Sequence, residues 1–216
     1  MRYFFSSKKD GNVGLHVGDN PLHVKANREG LSAFLAFQKI QFMNQVHGDR
    51  IVLIDENTSE APYCDAMISN SRGIALGVMV ADCVPILLWD EVSQSIGVIH
   101  AGRTGSALHI STKTVNAMQE SFDVRAQNLR VYIGPCIRKC CYEVGKEAIQ
   151  GLENVLHVKE GRYFLDLAKA NKEEFLKVGV KEDSIEDVCV CTCCSKSHFS
   201  YRQHKNTGRF AGVIGL

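Results

Sequence analysis

The sequence predicts an α+β fold in which mixed β-sheets pack together and helices cover the outside. Three observations carry this. Short runs rich in Val, Ile, Leu and Met recur at strand length, separated by Gly, Asp, Asn or Ser. Those beginning at Ile51, Ala66, Ile74, Pro85 and Ile96 follow one another with no helix between them, which argues against regular βαβ alternation. Four helical segments are interspersed among the strands. The chain has 216 residues, 45% hydrophobic and 23% charged, enough for a full hydrophobic core. No repeat, linker or composition shift marks a boundary, so a single domain over residues 1–216 is expected.

Element by element, Asn20 to Phe37 reads as a helix. Asn20 is a suitable N-cap, Pro21 takes the first helical position, and Leu22, Ala26, Leu31, Phe34 and Leu35 supply an apolar face. Extended runs follow at Phe42–Val46, Ile51–Ile54, Ala66–Ser69, Ile74–Val80, Pro85–Trp89 and Ile96–His100. Ser106–Glu120 fits a helix with Ala107, Ile110, Val115 and Met118 inward. Leu129–Ile133 is a strand ended by Gly134-Pro135. Helices are expected over Glu143–Gly151 and Leu167–Lys177, the latter capped by Asp166 and closed by Gly179. Strands are then expected at Ile185–Cys191, Phe199–Arg202 and Phe210–Ile214.

Lysine and arginine number 25 against 24 aspartates and glutamates, a net charge of +1. That balance offers no general attraction to nucleic acid or to an anionic membrane. The one long apolar run, Gly73 to Trp89, contains Asp82 and Pro85 and is no comfortable bilayer helix. The opening MRYFFSSKKD has too short an apolar stretch for a signal peptide. A cytoplasmic protein is expected, with no nucleic-acid or membrane partner. Its nine cysteines then read as reduced thiols or metal ligands rather than a disulfide framework.

Three short stretches could carry chemistry. Asn44-Gln45-Val46-His47-Gly48-Asp49 puts a histidine where a strand ends in a turn. Val80-Ala81-Asp82-Cys83-Val84-Pro85 interrupts an apolar double strand with a carboxylate and a thiol. A carboxylate between buried flanks must be paired, metal-linked or hydrogen-bonded. Gly97-Val98-Ile99-His100-Ala101-Gly102 ends an apolar strand in a histidine followed by small residues and Gly105. Small residues there admit either a ligand or the close packing of the next helix. Together His47, Cys83 and His100 offer two imidazoles and one thiolate, a natural catalytic zinc set with a fourth position open. The same residues allow a metal-free alternative in which Cys83 and His100 act as nucleophile and base.

The remaining cysteines cluster. Cys136, Cys140 and Cys141 follow Gly134-Pro135, and Cys189, Cys191, Cys193 and Cys194 form a C-x-C-x-C-C run. On a strand Cys189, Cys191 and Cys193 share a face. Packing and surface thiols are the favoured reading, with a second, structural zinc as the alternative. Arg28, Arg202 and Arg209 are candidate anion ligands because the guanidinium fork suits phosphate. No Walker loop and no strand-linked GxGxxG occurs, so nucleotide-triphosphate and dinucleotide readings lack support.

At these residues the chain resembles a known family, the polyphenol-oxidase-like laccase-domain proteins. The blocks run in order along nearly the whole chain. They are His16-Val17-Gly18-Asp19-Asn20-Pro21, Asn27-Arg28, Gln45-Val46-His47-Gly48, Cys64-Asp65-Ala66 and Ala81-Asp82-Cys83-Val84-Pro85. They continue with His100-Ala101-Gly102, Gly134-Pro135-Cys136-Ile137, Tyr142-Glu143-Val144 and Asp166-Leu167. Cys191-Thr192, Phe199-Ser200-Tyr201-Arg202 and Thr207-Gly208-Arg209 close the match. The resemblance implies two packed sheets with outer helices (α/β/β/α), a fold similar to that of cysteine-histidine toxin deamidases. It implies a zinc-dependent purine nucleoside phosphorylase, acting on adenosine, inosine or methylthioadenosine with phosphate, with adenosine deaminase activity beside it. It also implies Zn2+ on His47, Cys83 and His100, Arg28 near phosphate or substrate with Arg103 and Arg202 assisting, and Asp82 orienting a ligand or moving a proton. A monomer or homodimer is expected.

Other functions attach to the same resemblance. Some relatives are linked with peptidoglycan editing. The older label, copper polyphenol oxidase, fits poorly: the eight histidines are scattered, with no H-x-H. The sequence departs from the family twice. His100-Ala101-Gly102-Arg103-Thr104-Gly105 stands where relatives read H-A-G-W-R-G. Ser6-Ser7-Lys8-Lys9-Asp10-Gly11 stands where they read T-R-x-G-G.

Overall fold

The computed structural model describes residues 1–216. In chain order the strands are β1 (Arg2–Phe5), β2 (Lys39–Phe42), β3 (Ile51–Leu53), β4 (Ala66–Ser69), β5 (Ile74–Val80), β6 (Val84–Asp90) and β7 (Ser95–Ala101). They continue with β8 (Arg130–Ile133), β9 (Glu143–Val144), β10 (Leu156–Lys159), β11 (Arg162–Leu165), β12 (Ile185–Asp187) and β13 (Phe210–Gly215). The helices are α1 (Pro21–Leu35), α2 (Arg103–Ala107), α3 (Ile110–Phe122), α4 (Leu167–Lys177) and α5 (Thr192–Ser195). No helix is long and apolar enough to cross a membrane.

Two mixed sheets form the body. One has the order β1-β13-β5-β2, antiparallel except for the β5–β2 pair. The other has the order β12-β8-β6-β7-β4-β3, with parallel pairs only at its two edges. Met67, Leu76, Val78, Leu87, Val98 and Phe210 fill the space between the sheets. Leu31, Leu35, Ile40, Phe42 and Val213 pack beneath α1 on one outer face. Ile86, Ile99, Val115, Met118, Leu167 and Phe175 pack between the second sheet and α3 and α4 on the other. Central strands are therefore covered on both faces, which is why β7 and β13 are buried at every position and show no polar alternation. The expected α+β sandwich with outer helices is the fold found.

Helix α1 starts as expected: Asn20 accepts from the Leu22 N–H and Pro21 opens the first turn. Strands β4 and β5 and helix α4 coincide with the expected spans, α4 being capped by Asp166 on the Lys169 N–H. Other expectations are corrected. Glu143–Gly151 is not a helix. Glu143 and Val144 pair with β11, and only Lys146–Ala148 forms a single 3₁₀ turn. A hairpin that the sequence reading leaves out, β10–β11, recruits them. Its two-residue loop has Glu160 and Gly161 both at positive φ, as a type I′ turn requires.

Phe199–Arg202 is not a strand: Phe199 and Ser200 are irregular, a turn begins at Tyr201, and Phe199 packs against the inter-sheet core. The strand expected at Phe42–Val46 ends at Phe42, and the one expected to reach Cys191 ends at Asp187. Ser106–Glu120 is two helices, separated by His109 at φ 61°. β1, unanticipated, pairs with β13 at the sheet edge.

Candidate active site

The three residues from which sequence chemistry assembles a metal set meet at the seam between the sheets. The ligand atoms of His47, Cys83 and His100 all lie within 4.8 Å of one another. Each arrives from a different place. Cys83 sits at the corner where the chain leaves β5 in the four-stranded sheet and enters β6 in the six-stranded one. His100 is the penultimate residue of β7, opposite Pro85. His47 stands in the loop after β2.

Asp82 makes the corner. Its φ of 98° is a left-handed backbone that non-glycine residues adopt only when held, and here three contacts hold it. Oδ1 accepts the Thr192 hydroxyl at 2.6 Å and Oδ2 the Arg202 N–H at 2.7 Å. Its carbonyl accepts the Ile137 N–H at 2.8 Å. The buried carboxylate is thus hydrogen-bonded at both oxygens, and with its backbone carbonyl Asp82 ties three distant segments to the Cys83 corner.

Asp65 organises the imidazoles. It is fully buried. Its Oδ1 accepts from His100 Nδ1 at 2.7 Å and from the His47 N–H at 3.0 Å. Its Oδ2 accepts from the Gly48 N–H at 2.7 Å. With Nδ1 committed, His100 presents Nε2 toward Cys83. The same carboxylate stabilises the left-handed conformation of His47, at φ 59°. The two rings stand perpendicular with centroids 4.8 Å apart. The Gln45 side chain pairs with the backbone of Met79 in both directions and pins this loop to β5. Asp65 lies in the Cys64-Asp65-Ala66 block. Like Asp82, Asp65 is a carboxylate beside buried neighbours, a signal already present in the sequence.

The electrostatics couple these groups. Burial alone would push the Cys83 thiol up, but the facing His100 imidazolium and hydrogen bonds from His100 and His47 outweigh it and bring it down to about 6. Burial disfavours charge on His100 as well, yet the Cys83 thiolate and the Asp65 hydrogen bond raise it to about 9. For Asp65, burial is opposed by its hydrogen bonds to His100, Gly48 and His47, and the net shift is downward. The set therefore favours a thiolate, the state a metal ligand or a nucleophile needs. The three donors can hold a single metal ion. Gly102 closes the floor: a Cβ there would stand 3.4 Å from Cys83 Sγ and 3.6 Å from His47 Cδ2.

A cavity of about 730 Å³ opens over the triad, within the size range of small-molecule sites. Tyr142 and Tyr201 give it aromatic faces, and His16 and Arg209 a polar side. The arginines named from sequence are placed unequally. Arg202 lines the cavity, but its guanidinium donates to the carbonyls of Cys141 and Glu143, both at 2.9 Å, and lies over the Tyr142 ring. Arg28 stands behind Met79: Nε donates to the Val13 carbonyl, Nη2 contacts Met79 Sδ at 3.3 Å, and the guanidinium covers Phe42. Arg103 begins α2, and its charge acts on Tyr142. Arg209 is on the cavity wall and its field reaches Cys83 and Asp82. His16 is held toward its neutral form by burial and by Arg209 and Arg28.

Residues 5–216 match the family described as multi-copper polyphenol oxidoreductase laccase. A protein of Corynebacterium glutamicum named purine nucleoside phosphorylase is 33% identical over 95% of this chain and 86% of its own length. One of Streptomyces coelicolor with the same name is 35% identical over 95% and 87%. The crystal structure of a Bacillus licheniformis hypothetical protein, YfiH, superposes with a TM-score of 0.93 at 29% identity, covering 99% of this chain and 92% of that one. YlmD of Geobacillus stearothermophilus follows at a TM-score of 0.87 and 31% identity, covering 94% and 84%.

Proposed function

The chain belongs to the multi-copper polyphenol oxidoreductase laccase family, and from that premise we propose that it is a zinc-dependent purine nucleoside phosphorylase. Its substrates in this reading are adenosine, inosine or methylthioadenosine together with phosphate, with adenosine deamination as a second activity of the same site. The observation that carries the reading is the convergence of His47, Cys83 and His100 beneath a cavity of about 730 Å³. One thiolate and two imidazoles suit Zn2+ and leave a coordination position for substrate. The residues fit the ion. Asp65 fixes the His100 tautomer through Nδ1, the arrangement that orients metal-bound imidazoles and makes them better ligands. Zinc held by these three residues would supply Lewis acidity toward a phosphate or water oxygen.

The chain's own residues supply the rest. Phosphorolysis joins a phosphate oxygen to the ribose C1′ as the bond to the purine nitrogen breaks, and the base leaves with a proton. Arg209 on the wall, Arg28 behind Met79 and Arg103, whose charge reaches Tyr142, surround the cavity with a positive field for phosphate. Tyr142 and Tyr201 offer faces for a purine. Asp82 acts by holding the Cys83 corner, since both its oxygens are engaged. Arg202 braces Tyr142 from behind. Copper oxidase chemistry is disfavoured by the donors, because His47 and His100 are the only histidines in a converging set.

A second reading is favoured by one observation. Cys83, His100 and Asp65 form a thiol–imidazole–carboxylate chain, which would serve a metal-independent hydrolase or amidase. One experiment separates the two. Metal-quantified protein is incubated with adenosine, inosine and methylthioadenosine, with and without phosphate, and released bases are resolved by chromatography. Phosphate-dependent base release, lost on chelation and in Cys83→Ala, is expected. Turnover that survives exhaustive zinc removal favours the thiol mechanism. A zinc-loaded protein inert toward all three nucleosides would overturn the phosphorylase reading.

A further inference from the structure

We propose that Cys140, Cys141, Cys191 and Cys194 form a second, structural metal site that binds one Zn2+ as a tetrathiolate and clamps a segment walling the active-site cavity to the segment that braces Asp82. The four sulfurs come from segments about fifty residues apart in the chain, yet all lie within 4.8 Å of one another. Cys140 and Cys141 Sγ are 3.6 and 3.1 Å from Cys194 Sγ. A zinc–sulfur bond of about 2.3 Å sets the sulfur separations of a tetrahedral site at about 3.8 Å. The quartet already brackets that size, and a disulfide needs sulfurs at about 2.05 Å. Sulfurs this close enclose a single ion, and an all-thiolate tetrahedral set suits zinc, which unlike iron needs no redox partner. Cys191 and Cys194 have the C-x2-C spacing of zinc knuckles.

The backbone brings the thiols together without help from sulfur. Cys136 and Cys191 form a parallel bridge, with the Cys136 N–H donating to the Val190 carbonyl and the Thr192 N–H to the Cys136 carbonyl. Arg138 and Asp187 make a two-bond ion pair across the same two segments. Beyond these anchors the four thiols gather at the outer end, Cys140 and Cys194 exposed and Cys141 and Cys191 partly buried. A purely packed set of cysteines would be buried and dispersed; this one is clustered at the surface. Of the cysteines expected to share a strand face, only Cys191 belongs to the quartet. Cys189 and Cys193 stay outside it, because β12 ends at Asp187 and Thr192–Ser195 is a helical turn.

Both clamped segments bear on the catalytic cavity. Tyr142, next to Cys141, lies on its wall, and Thr192, next to Cys191, donates to Asp82. Binding replaces up to four thiol protons by one Zn2+, leaves a site of charge −2, and releases those protons to solvent.

The site stands or falls by metal content, whatever reaction the cavity performs. Protein prepared in reducing, zinc-supplemented medium is expected to carry two zinc ions per chain by elemental analysis. The triple variant His47→Ala/Cys83→Ala/His100→Ala is expected to keep one, and Cys191→Ser/Cys194→Ser to lose one while keeping the other. Should the cysteine variant fail to fold, Co2+ loading of the triple variant still decides, through the thiolate charge-transfer absorption and intense d–d bands of a tetrahedral tetrathiolate. A stoichiometry of one that is unchanged by the cysteine substitutions would overturn the proposal. So would iron in place of zinc, or a Cys141–Cys194 disulfide mapped in freshly reduced, metal-supplemented protein.

Discussion

Asp65 holds the His100 imidazole and the backbone of the His47 loop, so one atom there changes more than one contact. In Asp65→Asn the retained oxygen can still serve His100 Nδ1 and the His47 N–H, but the new amide would face the Gly48 N–H, donor against donor. Metal affinity is expected to fall about 10- to 100-fold, read by competition with a chromophoric chelator, while the far-UV spectrum stays native. An unchanged affinity would show that the carboxylate does not orient the ligands. Cys83 offers a test in the metal-free protein. Its thiol is brought down to about 6 by His100 and His47 against the effect of burial. A lowered value means the thiolate persists to lower pH. Alkylation of Cys83 by iodoacetamide should therefore rise as pH climbs through about 6 and be level by about 8, whereas an ordinary thiol would still be accelerating there. In His100→Ala that midpoint should move upward, read by mass spectrometry of the Cys83 peptide.

Among the elements, the short α2 matters most to the site because it presses on the His47 loop. The small residues after His100 serve packing at Gly105, where a Cβ would come within 2.8 Å of the Gly48 carbonyl. A backbone atom cannot swing away as a side-chain tip can. Gly105→Ala is expected to cost about 1–3 kcal/mol and to weaken metal binding by displacing His47, measured by thermal unfolding and chelator competition. Gly102 differs, since a Cβ there meets the triad only at ordinary contact distances. The spans of β4, β5 and α4 were legible in the sequence because each is a continuous apolar run or amphipathic stretch between clear stops. The β10–β11 hairpin was not. Its strands are largely half-buried or exposed, its partner β9 has only two residues, and its pairing is decided by a turn at Glu160-Gly161 that resembles any polar loop. The strand expected at Phe42–Val46 stopped early because the Gln45 side chain supplies the hydrogen bonds to Met79 that strand backbone would have made.

In the molecule as a whole, the site depends on the two sheets staying stacked. His47 follows a strand of one sheet, His100 ends a strand of the other, and Cys83 is the crossing between them. The unfolded chain holds no such set, so an ion bound there stabilises only the native state. Adding zinc to about 100 times its dissociation constant should contribute about 2.7 kcal/mol, which for a chain of this size raises Tm by roughly 5–10 °C. Calorimetry of Cys140→Ser/Cys141→Ser, with and without chelator, isolates this contribution from any at the cysteine quartet. No shift in that variant would mean the three donors do not bind the ion in the folded state.

By itself the sequence determined the sandwich with outer helices and singled out His47, Cys83 and His100 as a candidate donor set, because apolar runs and side-chain chemistry are local properties of the chain. Only the tertiary structure decided that one buried carboxylate, Asp65, holds both the His100 imidazole and the His47 backbone, that Asp82 clamps a corner, and that Arg28 and Arg202 spend their guanidinium groups on backbone carbonyls and aromatic rings. It also decided which four of the nine cysteines meet. These are distances between residues tens of positions apart, fixed by how two sheets stack and where loops cross their seam, and no spacing along the chain encodes them.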